Sequence, residues 1–80
     1  KGASLMYVSV EIKGPINSRA LWSLISRYNV SCTDLGTVIY VYGDVTFDEA
    51  VDVVCFCSMF GEIKTEYGGE SGGTQGEKNP

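Results

Sequence analysis

The sequence predicts one small α+β domain whose elements follow the order β-α-β-β-α-β. Three observations predict it. An alternating apolar pattern opens the chain, two later segments repeat apolar residues at helical spacing, and short β-rich runs lie between and after them. Eighty residues allow one core, and apolar residues make up 44% of the chain, which is ordinary for a globular domain. Because a chain of this size buries only about 60% of its surface, we expect marginal stability.

The first strand is predicted over residues 5–12, where apolar side chains occupy every second position. Such alternation indicates a strand with one buried face. The apolar positions are Met6, Val8, Val10 and Ile12, and the intervening ones are Tyr7, Ser9 and Glu11. Gly14-Pro15 should end this strand.

A helix is predicted next, capped by Asn17 or Ser18, whose side-chain oxygen can accept from the free N–H groups of the first turn. Apolar residues at spacings i, i+3, i+4 and i+7 form one stripe on it. The stripe consists of Leu21, Leu24, Ile25 and Tyr28, which carries the predicted helix to Tyr28. Trp22 lies at the edge of the stripe, and we expect it to be half covered.

Two strands and a second helix follow. A weaker extended run from Val30 to Leu35 leads through a turn at Gly36 to a stronger strand, Thr37 to Tyr42, which Gly43-Asp44 should end. Thr46 and Glu49 have capping-box spacing, so a helix should start there.

That second helix is predicted to reach about Phe60, with Gly61 as its C-terminal cap, and a last strand, Glu62 to Tyr67, completes the domain at 5–67. Residues 68–80 are rich in glycine and nearly free of apolar residues, so we expect a disordered tail there. The order of elements is that of ferredoxin-like domains, a four-stranded antiparallel sheet with two helices on one face. The strands that begin near Leu5 and Thr37 would be the central pair.

Composition excludes several functions. The net charge of −4, with six scattered basic residues, disfavours a protein whose affinity comes from neutralising phosphates. No apolar run reaches the roughly 18 residues of a membrane span. Three cysteines without a disulfide framework favour a reduced, cytoplasmic protein. The chain has no histidine, the commonest general base, and we predict no catalytic residue and no cofactor.

The open face of the sheet is the first candidate site. If the smaller residues Ile39 and Val41 face the helices, then Tyr7, Tyr40 and Tyr42 lie together on the uncovered side. This placement resembles that of the stacking aromatics in the RNA recognition motif, which implies single-stranded RNA binding as one possibility. Tyrosine is also enriched in strands and protein interfaces, and the acidic charge favours a protein partner or a second copy of the chain over RNA.

The outer face of the second helix is the next candidate. Asp48, Glu49 and Asp52 form an acidic patch, and the same face continues to Phe56 and Met59, which we expect to be exposed and to contact a partner.

The cysteines Cys32, Cys55 and Cys57 are a weaker candidate. Residues 55 and 57 lie about 200° apart around a helix, so they could not easily hold one ion. We therefore expect a buried structural role and no metal site.

Residues 8–16 (VSVEIKGPI) and 21–30 (LWSLISRYNV) resemble the first strand, loop, helix and second-strand entry of ACT-like regulatory domains. The resemblance covers about the first third of the chain and the topology, although Lys-Gly-Pro stands where that family commonly has an acid followed by Pro-Gly. It implies the binding of a small effector such as an amino acid between paired domains. The positions that the resemblance picks for this are Gly14, Pro15, Ile16 and Asn17.

The sequence therefore predicts a non-enzymatic interaction or regulatory module. Contact with a protein or with a second copy is the favoured function, and RNA binding and effector binding are the alternatives.

Overall fold

The computed structural model describes residues 4–70 and has the predicted order of elements. The strands are β1 (Met6–Lys13), β2 (Val30–Asp34), β3 (Val38–Val45) and β4 (Ile63–Glu70), and the helices are α1 (Ser18–Ile25) and α2 (Phe47–Ser58). The strands form one antiparallel sheet in the order β2-β3-β1-β4. The ferredoxin-like α+β topology is confirmed, and β1 and β3 are the central pair.

The core lies between the two helices and one face of the sheet. Its members share complete or almost complete burial, and none of the buried residues is polar or charged in the part of the chain described here. They are Val8, Val10, Ile12, Leu21, Ile25, Ile39, Val41, Val45, Ala50, Val53 and Cys57. Because burying one such aliphatic side chain contributes about 1.5–3 kcal/mol, this layer is the main source of stability.

The register of the central pair sets both faces of the sheet. Val10 lies opposite Val41 and Ile12 opposite Ile39, so the predicted inward positions of β1 and β3 are confirmed. A shift of one residue would turn every one of these side chains towards solvent, so burial itself fixes the register.

α1 is shorter than predicted. The Asn17 side chain accepts a hydrogen bond from the Ala20 N–H at 3.1 Å, which confirms the cap. However, the helix ends at Ile25 and not at Tyr28, because the Tyr28 N–H donates to the Ile25 carbonyl in a tighter turn. Tyr28 still packs against the core from this turn. Its helical spacing from Leu21, Leu24 and Ile25 therefore indicated that it is partly buried and did not indicate that it is part of the helix.

β3 is longer than predicted, since it passes through Gly43-Asp44 and ends at Val45. Gly43 lies where β3 meets the start of β2, and a Cβ there would overlap the carbonyl oxygen of Asn29. The glycine therefore serves close approach of two backbones and does not end the strand. The Asn29 side-chain amide then donates to the carbonyl of Asp44 at 3.1 Å.

α2 starts with the predicted capping box between Thr46 and Glu49 but ends at Ser58, two residues early. Gly61 is not its cap. A Cβ at Gly61 would stand only 2.8 Å from the carbonyl oxygen of Lys13, so this glycine lets the chain pass the end of β1. β4 continues to Glu70, three residues beyond the predicted end of the domain. The remainder of the predicted tail, 71–80, lies outside the described residues.

Candidate functional site

The sheet face opposite the helices carries the three predicted tyrosines. Tyr7 on β1 and Tyr40 and Tyr42 on β3 alternate with core residues, so all three point away from the helices. Glu11 lies directly opposite Tyr40, and Ser9 lies opposite Tyr42. The arrangement on two central strands is therefore the one expected from the sequence.

The tyrosines differ in their surroundings. Tyr7 is 41% exposed, and its ring lies beside Gly68 of β4, where a Cβ would stand 3.0 Å from the Tyr7 Cβ. Tyr42 is half-buried, and its hydroxyl lies 3.1 Å from Oγ1 of Thr33 on β2. Tyr40 lines a shallow hollow of about 100 Å³ in the middle of the face. The face is thus uneven, with one raised ring and one small depression.

Charges of both signs surround these rings. Glu11 faces Lys64 across the β1–β4 pair, and Ser9 faces Glu66. Lys13 lies at one end of the same face, beside a cleft of about 480 Å³ that Glu11 and Lys64 also line. The face therefore carries two of the six basic residues of a chain whose net charge is −4. With Asp44, which lies opposite Tyr7, the described part of the face carries three acidic and two basic side chains.

The outer side of α2 is a second exposed surface, but its members differ from the prediction. Met59 is 72% exposed, as expected. Phe56 was expected to be exposed, and this is wrong: it is half-buried and packs against the core, because it lies on the side of α2 that turns towards the sheet layer.

Sequence reasoning missed two other exposed residues of α2. Phe47 is 66% exposed and Val51 is 43% exposed. With Cys55 and Met59, which are also exposed, they follow one another at intervals of four residues and form a ridge along the helix. The i, i+4 spacing could have revealed this ridge.

Three of the four predicted effector positions have structural roles. A Cβ at Gly14 would stand 2.8 Å from the carbonyl oxygen of Gly36, Ile16 packs against the core, and Asn17 caps α1. Pro15 is exposed and follows Gly14 through a cis peptide bond. Effector binding at these positions stays a prediction.

The three cysteines have three different environments. Cys57 is buried, as expected, and Cys32 is half-buried, but the expected buried role is wrong for Cys55, which is exposed. Burial raises the pKa of the Cys57 thiol to about 12, with a further contribution from the nearby Cys32. Burial also raises the pKa of Cys32, as does the negative charge of Asp34. Both thiols are therefore protonated near neutral pH, which makes them poor nucleophiles.

Two further observations concern residues 4–70. No group of three or more His, Cys, Asp or Glu side chains is placed there to hold a metal ion. Within the same residues, neither helix has the length and apolar character needed to cross a membrane.

Comparison with known proteins gives no relative: the chain matches no family model, no curated protein and no solved structure.

Proposed function

We propose that this chain is a non-enzymatic interaction module that associates with a second copy of itself through the outward face of its sheet. The observation that carries the proposal is the set of tyrosines on the two central strands of an uncovered face that carries charges of both signs. Tyrosine adds a large contact area at low cost in side-chain entropy, and it is enriched in protein interfaces.

The strand register makes this face self-complementary. One row across the sheet contains Tyr40, Glu11 and Lys64, and the next row contains Tyr42, Ser9 and Glu66. Consider a twofold axis that lies in the plane of the interface, parallel to these two rows and midway between them. It sets the first row of one copy against the second row of the other copy. Tyr40 then meets the second copy's Tyr42, and Lys64 meets its Glu66.

The next rows outward contain Tyr7 with Asp44 and Lys13 with Val38. Each Lys13 ammonium therefore comes to the Tyr7 ring of the second copy, a favourable cation–π contact, whereas Val38 comes to Asp44 without a favourable contact. A surface that is complementary to itself favours a symmetric dimer over an unrelated partner.

The area of the face sets the expected affinity. Eight residues on four strands cover at most about 27 Å by 19 Å, or roughly 500 Å² per copy. A standard interface buries about 800 Å² per partner, so the dimer should be weak and should dissociate in the micromolar range or above.

RNA binding is the second candidate, because the same tyrosines could stack on bases and Lys13 and Lys64 could contact phosphates. Glu11, Glu66 and Asp44 lie on the same face and would repel the phosphates. Effector binding at Gly14 to Asn17, as the ACT-like resemblance implies, ranks third because three of these residues already have structural roles.

Sedimentation equilibrium over protein concentrations from micromolar to millimolar tests the proposal. Tyr40→Glu should abolish association, because it places a further carboxylate beside Glu11 in the interface of each copy. Tyr67→Glu is the matched control, since Tyr67 is an exposed strand tyrosine on the helix side of the sheet. A protein that stays monomeric throughout, or equal loss in both variants, would contradict the proposal. A monomer whose Tyr40 and Tyr42 resonances shift with single-stranded RNA would support the second candidate.

The cellular setting is also part of the proposal. Three free cysteines support a reducing, cytoplasmic environment. The absence of histidine from the whole chain supports a role without acid–base catalysis.

A further inference from the structure

Within residues 4–70, no strand pairs with the outer edge of β2, and its outward backbone groups lie at known positions. The Leu35 N–H donates to the Val38 carbonyl at 2.9 Å, which makes these two residues a hydrogen-bonded pair. Such pairs alternate along an antiparallel ladder, so the residues that pair with Ile39 and Val41 direct their N–H and C=O groups away from β3. Those residues are Asp34 and Cys32.

A shallow cleft, open to solvent over most of its surface, lies beside this edge, between β2 and α1. Its volume is about 350 Å³. Its lining residues are Ser18, Arg19, Trp22, Cys32 and Asp34. Trp22 is 41% exposed and is the only aromatic residue among those that line the cleft.

The same two β2 residues belong to the edge and to the cleft. Cys32 and Asp34 face the helix side of the sheet, because they lie opposite the buried Val41 and Ile39. A strand paired with this edge would place the residues opposite Cys32 and Asp34 on the helix side as well, since directly opposite residues share a face. Two side chains of that strand, two positions apart, would therefore enter the cleft.

We infer that β2 and α1 form a docking groove for an extended peptide of a partner protein. The peptide pairs antiparallel with β2, places a large apolar side chain opposite Cys32 against Trp22, and places a basic side chain opposite Asp34. Addition of a strand to an open sheet edge is a general mode of peptide recognition.

The charge of Asp34 decides which type of side chain the peptide carries opposite it. The Gly36 N–H donates to Oδ1 of Asp34 at 2.8 Å, and the Ser18 hydroxyl adds a further bond, which together lower the pKa of this carboxyl. Asp34 is thus ionised, and an acidic side chain directly opposite it would be repelled. Arg19 is on the helix wall, and its long side chain can turn its guanidinium into water. The net charge of −4 further favours a basic segment.

Two other occupants fit less well. Residues 71–80 contain no large apolar side chain, so that part of the chain cannot fill the position against Trp22. A second copy pairing through its own β2 would offer only Val30 to Asp34, which contain neither an aromatic nor a basic residue.

The test uses the whole chain and a capped peptide, Thr-Thr-Lys-Thr-Phe-Thr-Val, in which Lys and Phe fall opposite Asp34 and Cys32. Trp22 is the only tryptophan of the chain, so its fluorescence reports on the cleft without labelling. We expect saturable changes in that fluorescence, and NMR shifts of the Cys32 and Asp34 amides, below about 1 mM peptide, the range of weak peptide recognition.

Peptides that differ at one residue test separately the apolar position opposite Cys32 and the basic position opposite Asp34. Replacing Phe by Ala should abolish binding, and replacing Lys by Glu should weaken it two- to fivefold, which corresponds to a cross-strand charge pair of about 0.4–1 kcal/mol. In the variant Asp34→Asn, which keeps an oxygen for the Gly36 N–H, the preference for Lys over Glu should vanish while the Phe peptide still binds. Sheet-face self-association does not involve these residues, so the result is independent of the function proposed above.

Several outcomes would overturn the inference. These are unchanged Trp22 fluorescence at saturating peptide, shifts along β4 in place of β2, and equal affinity for the Lys and Glu peptides. Peptide-free shifts of Cys32 that grow with protein concentration would show that a second copy occupies the groove.

Discussion

The Tyr28 hydroxyl donates a hydrogen bond to Oδ2 of Asp52 at 3.1 Å and thereby joins the turn after α1 to α2. Arg27 supports the same ring, since its Nη2 donates to the Tyr28 hydroxyl at 3.3 Å and its guanidinium lies 5.2 Å from the ring centre. This small network is a polar contact between α2 and the turn after α1, at the surface above an apolar core.

Loss of that hydrogen bond should cost a modest amount of stability. Tyr28→Phe keeps the ring and removes only the hydroxyl, so we expect the free energy of unfolding to fall by about 0.5–1 kcal/mol. Urea denaturation measures this. The double variant Tyr28→Phe, Asp52→Ala should lose less free energy of unfolding than the sum of the losses in the two single variants. Strictly additive losses would show that the hydrogen bond contributes nothing to stability.

Gly43→Ala should be far more damaging, because the new Cβ would overlap the backbone at Asn29 where β3 meets β2. We expect a loss of about 3 kcal/mol, at the upper end of what overpacking costs. Ser31→Ala, at an exposed neighbouring position on β2, should change stability by less than about 0.5 kcal/mol. Similar effects of both changes in a thermal or urea melt would refute the close-approach role of Gly43.

The thiols should react with a maleimide in two clearly separate phases. Cys55 is exposed and should be modified first, while Cys57 is buried with a raised pKa and should react only when the protein unfolds. Mass spectrometry of the labelled protein with and without urea distinguishes the sites. Modification of Cys57 in the native protein as fast as that of Cys55 would contradict the burial.

The raised pKa of Cys57 also predicts a loss of stability in alkali. An unfolded thiol ionises near pH 9.0, whereas the folded one keeps its proton to about pH 12. Unfolding therefore releases a proton between these values, and stability falls as pH rises through that window but is unaffected by this thiol below it. The comparison is with Cys57→Ala, whose denaturation midpoint should depend less steeply on pH. An equally steep pH dependence of the denaturation midpoint in both proteins would contradict the prediction.

The twofold arrangement of the sheet face makes a sharper prediction about charge. Lys64→Glu should weaken self-association because it sets two glutamates against each other across the interface. Adding Glu66→Lys restores an opposite-charge pair and should recover most of the affinity. Sedimentation at low and at moderate salt measures both. If the double variant associates no better than the single one, the proposed axis is wrong.

The faces of the sheet were predictable from sequence, whereas several boundaries were not. In β1 every second residue from Met6 to Ile12 is apolar, and this period of two decides burial without further information. In β3 both faces carry apolar or aromatic residues, so the choice between Ile39 and Tyr40 depended on size alone, and the smaller side chains do face the helices.

The features that were not predicted share a cause. A local sequence pattern was interpreted as secondary structure where it reflects a contact with a distant segment. Gly43 looked like the end of a strand but serves the approach of another chain segment, and Tyr28 looked helical because the core buries it after the helix has ended. The cleft beside Trp22 requires α1 and β2 to be neighbours in space. No pattern in either segment alone indicates it.

The pairing of Met6 with Glu70 places the start of the first strand beside the end of the last one. The chain therefore enters and leaves the fold at one end of the sheet, on adjacent strands. Such a domain can be inserted into a surface loop of a host protein without stretching that loop, and a short linker across the two positions should permit circular permutation with new ends in the exposed turn at Gly36.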